Sequence, residues 1–126
     1  MARDPHIPDA FDVYTLVILR RPADAPDLPE AELDRLQSLH LAHRAELRDQ
    51  GLIVANGPFL EQSDESFRGM SIFTCDLAEA GRLNELDPLV IAGRLTYEVM
   101  EWWVAADTLA FPQTNRPVGD RRSLPD

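Results

Sequence analysis

The sequence predicts an α+β domain in the order β-α-β-β-α-β, the split βαβ arrangement. Its four-stranded antiparallel sheet would carry both helices on one face. Three observations predict it. Val13 to Arg20 is a β-branched and aromatic run of strand character. Glu30 to Gln50 is rich in Leu, Ala, Glu and Arg, strong helix formers, and Gly51 stands where a helix would end. Leu95 to Val104 returns to strand composition with Tyr97, Trp102 and Trp103.

The elements follow in order. Residues 1–11 hold two prolines and no periodicity, and form an arm. After the first strand, Arg21 to Pro29 holds three prolines and is a loop. The long helix follows, then a short strand, Leu52 to Ala55, closed by Asn56-Gly57-Pro58. Glu61 to Ser66 is a polar hairpin loop, and Arg68 to Cys75 a third strand. Asp76 caps a helix over Leu77 to Asn84. Asp87-Pro88 interrupts it, because the residue before proline is pushed out of the α region. That pair matches an N-cap and first-turn proline, so a fresh short helix starts at Pro88 and stops near Gly93. Residues 105–126 read as a tail on the surface or on a partner.

A chain of 126 residues is one domain, 1–126, with its core at about 12–104. A net charge of −10 disfavours nucleic acid and anionic membranes as partners. No apolar run approaches the roughly 20 residues of a spanning helix. The single cysteine, Cys75, forms no intrachain disulfide, and with no export signal the expected compartment is a reducing cytoplasm. There is no lysine, which excludes a Schiff-base lysine. No Gly-rich phosphate loop or G-x-S-x-G elbow is present, and no cofactor is expected.

Both faces of the sheet are apolar. In the first strand Val13, Thr15, Val17 and Leu19 oppose Tyr14, Leu16 and Ile18. A sheet with one wet face should alternate apolar and polar residues. Helices cover only one side, so the simplest cover for the other is a second copy, giving a two-fold homodimer with a barrel-like centre. The alternatives are a monomer with an apolar ligand cleft, or a tail folded across.

The histidines carry the chemistry. At 100° per residue Leu33, Leu36, His40, His43 and Leu47 share one stripe of the long helix. A core histidine satisfied by a backbone carbonyl is the plain alternative. His40 and His43 form H-x-x-H, but zinc needs three or four ligands and no second cluster supplies them, so no metal site is expected.

Two blocks carry a resemblance. One is His40-Leu41-Ala42, Leu47, Gly51 and Ala55-Asn56-Gly57-Pro58. The other is Asp87-Pro88-Leu89-Val90, Ala92-Gly93 and Tyr97-Glu98-Val99 with a tryptophan beyond. The sequence resembles the YciI-like (YCII-related) family over most of residues 13–104. The resemblance implies the dimeric ferredoxin-like α/β-barrel fold and lyase- or isomerase-like chemistry on small, often cyclic molecules. It also implies that His40 and Asp87 are the active-site pair. His43, the proline-rich loop and the long tail depart from the family pattern.

A carboxylate beside an imidazole fixes its tautomer and stabilises the imidazolium, leaving the free nitrogen as general acid or base. With no nucleophile signature, such a pair suits elimination or isomerisation rather than acyl transfer. Asp87 alone would simply be a helix cap. Gly57 and Pro58 form a turn that lines the pocket on this reading. Arg68 either holds a substrate anion or lies on the surface, and Tyr97 is a substrate contact or core. The expectation is thus a cofactor-independent enzyme acting on a small-molecule ligand. The competing classes are a non-catalytic binding or sensing module and an accessory structural dimer.

Overall fold

The computed structural model of the chain describes residues 4–112 and 120–125. Its elements are β1 (Phe11–Arg20), α1 (Glu30–Asp49), β2 (Ile53–Pro58), β3 (Phe67–Phe73), α2 (Leu77–Glu85), α3 (Pro88–Ile91), β4 (Thr96–Ala105) and β5 (Asp120–Arg122). The strands form one antiparallel sheet in the order β2-β3-β1-β4. The four-strand expectation needs correction, because β5 adds a fifth. It pairs with Phe11–Val13, on the same edge of β1 that β3 occupies from Thr15 onwards. Part of the tail is therefore an exposed strand of the sheet, on the surface as the sequence suggests. Residues 1–3 of the arm and 113–119 and 126 of the tail lie outside the described residues.

Local sequence explains where the helices stop and start. Gly51 takes φ +77°, a left-handed conformation that glycine adopts without a Cβ clash. Its amide bonds to the Arg48 carbonyl and the Leu52 amide to that of Leu47, which closes α1 as a Schellman motif. Asp76 caps α2 by accepting from the Glu79 amide. Asp87 is extended, precedes Pro88, and its side chain accepts from the Leu89 amide to start α3.

The main core lies between the sheet and the helices. Val17, Ile53 and Phe73 from the strands pack with Leu36 and Leu47 of α1, Leu83 of α2 and Leu89 of α3. These strand residues share one face, so the helices cover that face, as the sequence predicts. On the other face Tyr14, Val54 and Ile72 form a second, smaller apolar cluster. Phe111 packs edge-on against Tyr14 with ring centroids 5.7 Å apart, so the described tail covers that end. Further along, Leu16, Ile18, Met70 and Met100 stay half-buried and Trp102 is 39% exposed. Among the described residues no helix is long and apolar enough to cross a membrane.

Candidate active site

The long helix places His40 and Arg44 one turn apart on its buried side, with His43 beside them. The α2–α3 junction brings Asp87 against them. His40 Nδ1 lies 2.7 Å from Asp87 Oδ2, and Asp87 is fully buried. The other carboxylate oxygen, Oδ1, accepts from the Leu89 amide at 2.9 Å. One side chain therefore both caps α3 and faces the imidazole. The cap reading and the dyad reading of Asp87 are compatible.

Arg44 completes the cluster, and sequence reasoning missed it. Its Nη2 lies 3.2 Å from Asp87 Oδ2 and donates to Asn84 Oδ1 at 2.6 Å. Asn84 in turn donates to the Ala80 carbonyl within α2. His43 Nδ1 lies 3.6 Å from the same Asp87 oxygen, too far for a hydrogen bond. It is sealed from solvent without a partner, as are Arg44 Nε and Nη1. His40 and His43 thus converge on one carboxylate. Among the described residues no group of three or more His, Cys, Asp and Glu is arranged to hold a metal ion.

The charges follow from the contacts. Burial opposes ionisation of Asp87. The His40 contact, the Arg44 charge and the Leu89 amide outweigh it and hold the carboxyl below its ordinary value. Burial pushes the His43 imidazole down, with Arg44 and His40 adding to it and Asp87 opposing. Burial lowers Arg44 too, against the pull of Asp87, yet a guanidinium stays protonated at this depth. Against an ionised Asp87, a neutral His40 carries its hydrogen on Nδ1 and leaves Nε2 as an acceptor.

A cavity of about 210 Å³ adjoins His40. Gly57, Pro58 and Arg68 line it, together with Arg21, Gln37 and Asn56. The structure therefore brings His40, Gly57, Pro58 and Arg68 to one space, with Asp87 behind the imidazole. Tyr97 lies elsewhere. It packs against the main core, and its hydroxyl donates to Glu85 Oε1 at 2.5 Å, which raises the phenol to about 12. Asn56 is held by the Ser71 hydroxyl, which donates to its Oδ1 at 2.6 Å. Gly69 also lines the cavity. A Cβ there would sit 2.8 Å from the Gly57 carbonyl oxygen, so only glycine lets β2 and β3 approach this closely.

No protein-family model matches the chain. No curated protein matches it either. One similar solved structure is 5-chloro-2-hydroxyhydroquinone dehydrochlorinase (TftG) from Burkholderia phenoliruptrix, in complex with 2,5-dihydroxybenzoquinone. It is 23% identical, with 70% of this chain and 92% of that chain covered and a TM-score of 0.45. That likeness assigns this chain neither family nor substrate.

Proposed function

We propose that the chain is a cofactor-independent enzyme in which His40, oriented by Asp87, moves a proton during elimination or isomerisation of a small organic molecule. One observation carries this reading. A buried carboxylate lies 2.7 Å from Nδ1 of an imidazole that lines a small cavity. The carboxylate fixes the ring and its tautomer, and Nε2 serves as general base and then acid. Its volume is below the roughly 300 Å³ of typical ligand pockets, which favours a small substrate. Gly57 and Pro58 shape the wall, and Arg68 contacts the substrate.

The reading includes a homodimer in a reducing cytoplasm, built on the family resemblance and on the apolar sheet face. Half-buried Leu16, Ile18, Met70 and Met100, with exposed Trp102, give that face the character of an interface. Sedimentation should show a dimer, and a concentration-independent monomer would sink this part.

The chemistry is tested by following carbon-bound hydrogen exchange in D2O across a panel of small cyclic acids and lactones. The native chain should exchange or convert at least one of them. His40→Ala should lower that rate by about 10²–10⁴ while retaining binding. Equal rates in His40→Ala would rule out the general-base role. Binding without turnover in either protein would favour a sensing module.

A further inference from the structure

The chain has 22 acidic and 12 basic residues, all the latter arginine, so unpaired cations should be scarce. Among the described arginines, only Arg21, Arg68 and Arg94 have no carboxylate within 4.0 Å. Arg68 and Arg94 both lie close enough to Arg21 to act on its charge. Arg21 is pushed below its ordinary value first by partial burial and then by the charges of Arg68 and Arg94. Arg68 bonds only to the Glu65 carbonyl, at a long 3.3 Å, and Arg94 to the Pro26 carbonyl at 2.9 Å. Two of the three, Arg21 and Arg68, line the cavity beside His40, and no Asp or Glu does.

The backbone is shaped to put Arg68 there. Leu19 pairs with Gly69 and Arg20 with Phe67, so Arg68 is the extra residue of a β-bulge. Strict alternation would set Arg68 on the opposite face from Gly69. The bulge instead brings it to the wall that Leu19 and Gly69 share with His40. Bulges of this kind re-aim side chains beside active sites. Like charges gathered without counter-ions are unfavourable in the free protein, and an anionic ligand relieves that repulsion.

We propose that Arg21 and Arg68 hold the carboxylate of a small organic acid in the cavity, with its acidic C–H turned towards His40. The planar guanidinium fork matches a carboxylate bidentately. Arg94 adds positive charge from behind without touching the ligand. The substrate class is therefore a small carboxylate. The C–H clause rests on His40 as the base, but the carboxylate clamp stands independently of it.

The test titrates benzoate, benzamide and inorganic phosphate into the full chain by calorimetry and by NMR. Arg21→Gln, Arg68→Gln and the double variant are compared with the native protein. Arg35→Gln, an exposed site on α1 paired with Glu32, is the charge control. Benzoate should bind saturably in the millimolar range and benzamide should not. Each single variant should weaken benzoate about tenfold or more, the double variant should abolish saturation, and the control should change nothing. Arg21 is exposed, so its replacement leaves the core intact. Four results overturn the proposal: no benzoate binding, equal binding of benzamide, preference for phosphate, or an unchanged affinity in the double variant. His40→Ala separates the two readings. If His40 is no catalyst, exchange is absent in the native chain or equal in His40→Ala, while benzoate binding keeps its dependence on both arginines.

Discussion

Two buried carboxylates, at opposite ends of β1's neighbourhood, are built in contrasting ways. Asp12 is 2% exposed and each of its oxygens has one partner. Arg121 Nε donates to Oδ1 at 2.7 Å and the Asp107 amide to Oδ2 at 2.8 Å. The same arginine reaches Asp107 through Nη2, so β5, β1 and the exit of β4 are tied together. Asp87 is deeper and its bonding is uneven. Oδ1 takes one amide, whereas Oδ2 lies close to His40, Arg44 and His43 together. Around Asp12 the charges close on themselves. Around Asp87 two rings converge on one oxygen, and His43 Nδ1 and Arg44 Nε and Nη1 are left without a partner. A carboxylate that only fastens the chain needs the first arrangement. Fastening does not call for a second imidazole beside the carboxylate, and a buried polar atom without a partner costs stability to maintain.

The largest effect expected from that contrast comes from Asp87→Asn. Asparagine keeps the cap on Leu89, since it caps helices as well as aspartate does. The charge is removed and an amide NH2 donor replaces the Oδ2 acceptor, so Arg44 is left sealed without its counter-ion. Such a loss costs about 3–5 kcal/mol. Asp12→Asn should cost far less, because Arg121 is 48% exposed and can turn to water. Urea unfolding of both variants checks the order, and equal losses would erase the distinction between the two carboxylates.

A smaller effect sharpens the same point. Arg44→Met should cost about 1.5–3 kcal/mol, the range for hydrogen bonds to a charged group. Asp87 would keep His40 and the Leu89 amide. In the double variant Asp87→Asn/Arg44→Met no buried charge is uncompensated. Its loss should fall short of the sum of the two singles by about 1–3 kcal/mol. Strict additivity would mean that Arg44 acts on packing alone, against Phe73, whose ring centroid lies 5.9 Å from its Cζ.

These residues also show how far the sequence could be read. The Asp87-Pro88 step and Gly51 were legible because each is a local signal with a stereochemical cause. The element order was legible from composition, whereas alternation left both strand faces apolar and did not say which of them the helices cover. Arg44 was not, although it sits four residues after His40 on the same helix. The apolar stripe passed through His43 and Leu47 without it, because an arginine reads as solvent-facing until its distant carboxylate is known. The Arg68 placement turns on a one-residue register shift that alternation cannot reveal. Strand β5 is Asp-Arg-Arg, with no strand propensity of its own. It is held by Arg121 to Asp12 and Arg122 to Glu101, contacts set by tertiary structure. Tyr97 was placed by its motif but not by its partner, Glu85.

The smallest expected effect is a pH dependence that only the Asp87 end possesses. Burial lowers His43 from its ordinary value of 6.5, while neighbouring Arg44 and His40 add to the lowering and Asp87 opposes it. The folded chain therefore refuses a proton that the unfolded chain accepts. The stability tied to a neutral His43 is whole above about pH 6.5 and is lost as pH falls through that value towards the lowered one. Asp12 and Asp87 are both lowered from 3.8, so their contributions persist until pH falls below the ordinary carboxylate range. Urea midpoints should fall modestly between pH 7 and pH 5.5 in the native chain. In His43→Phe, which removes the titrating ring, that slope should flatten, while the acid loss below about pH 4 remains. An unchanged slope in the variant would place the titration outside the Asp87 cluster. It would also remove the surplus imidazole as a distinction between the two carboxylates.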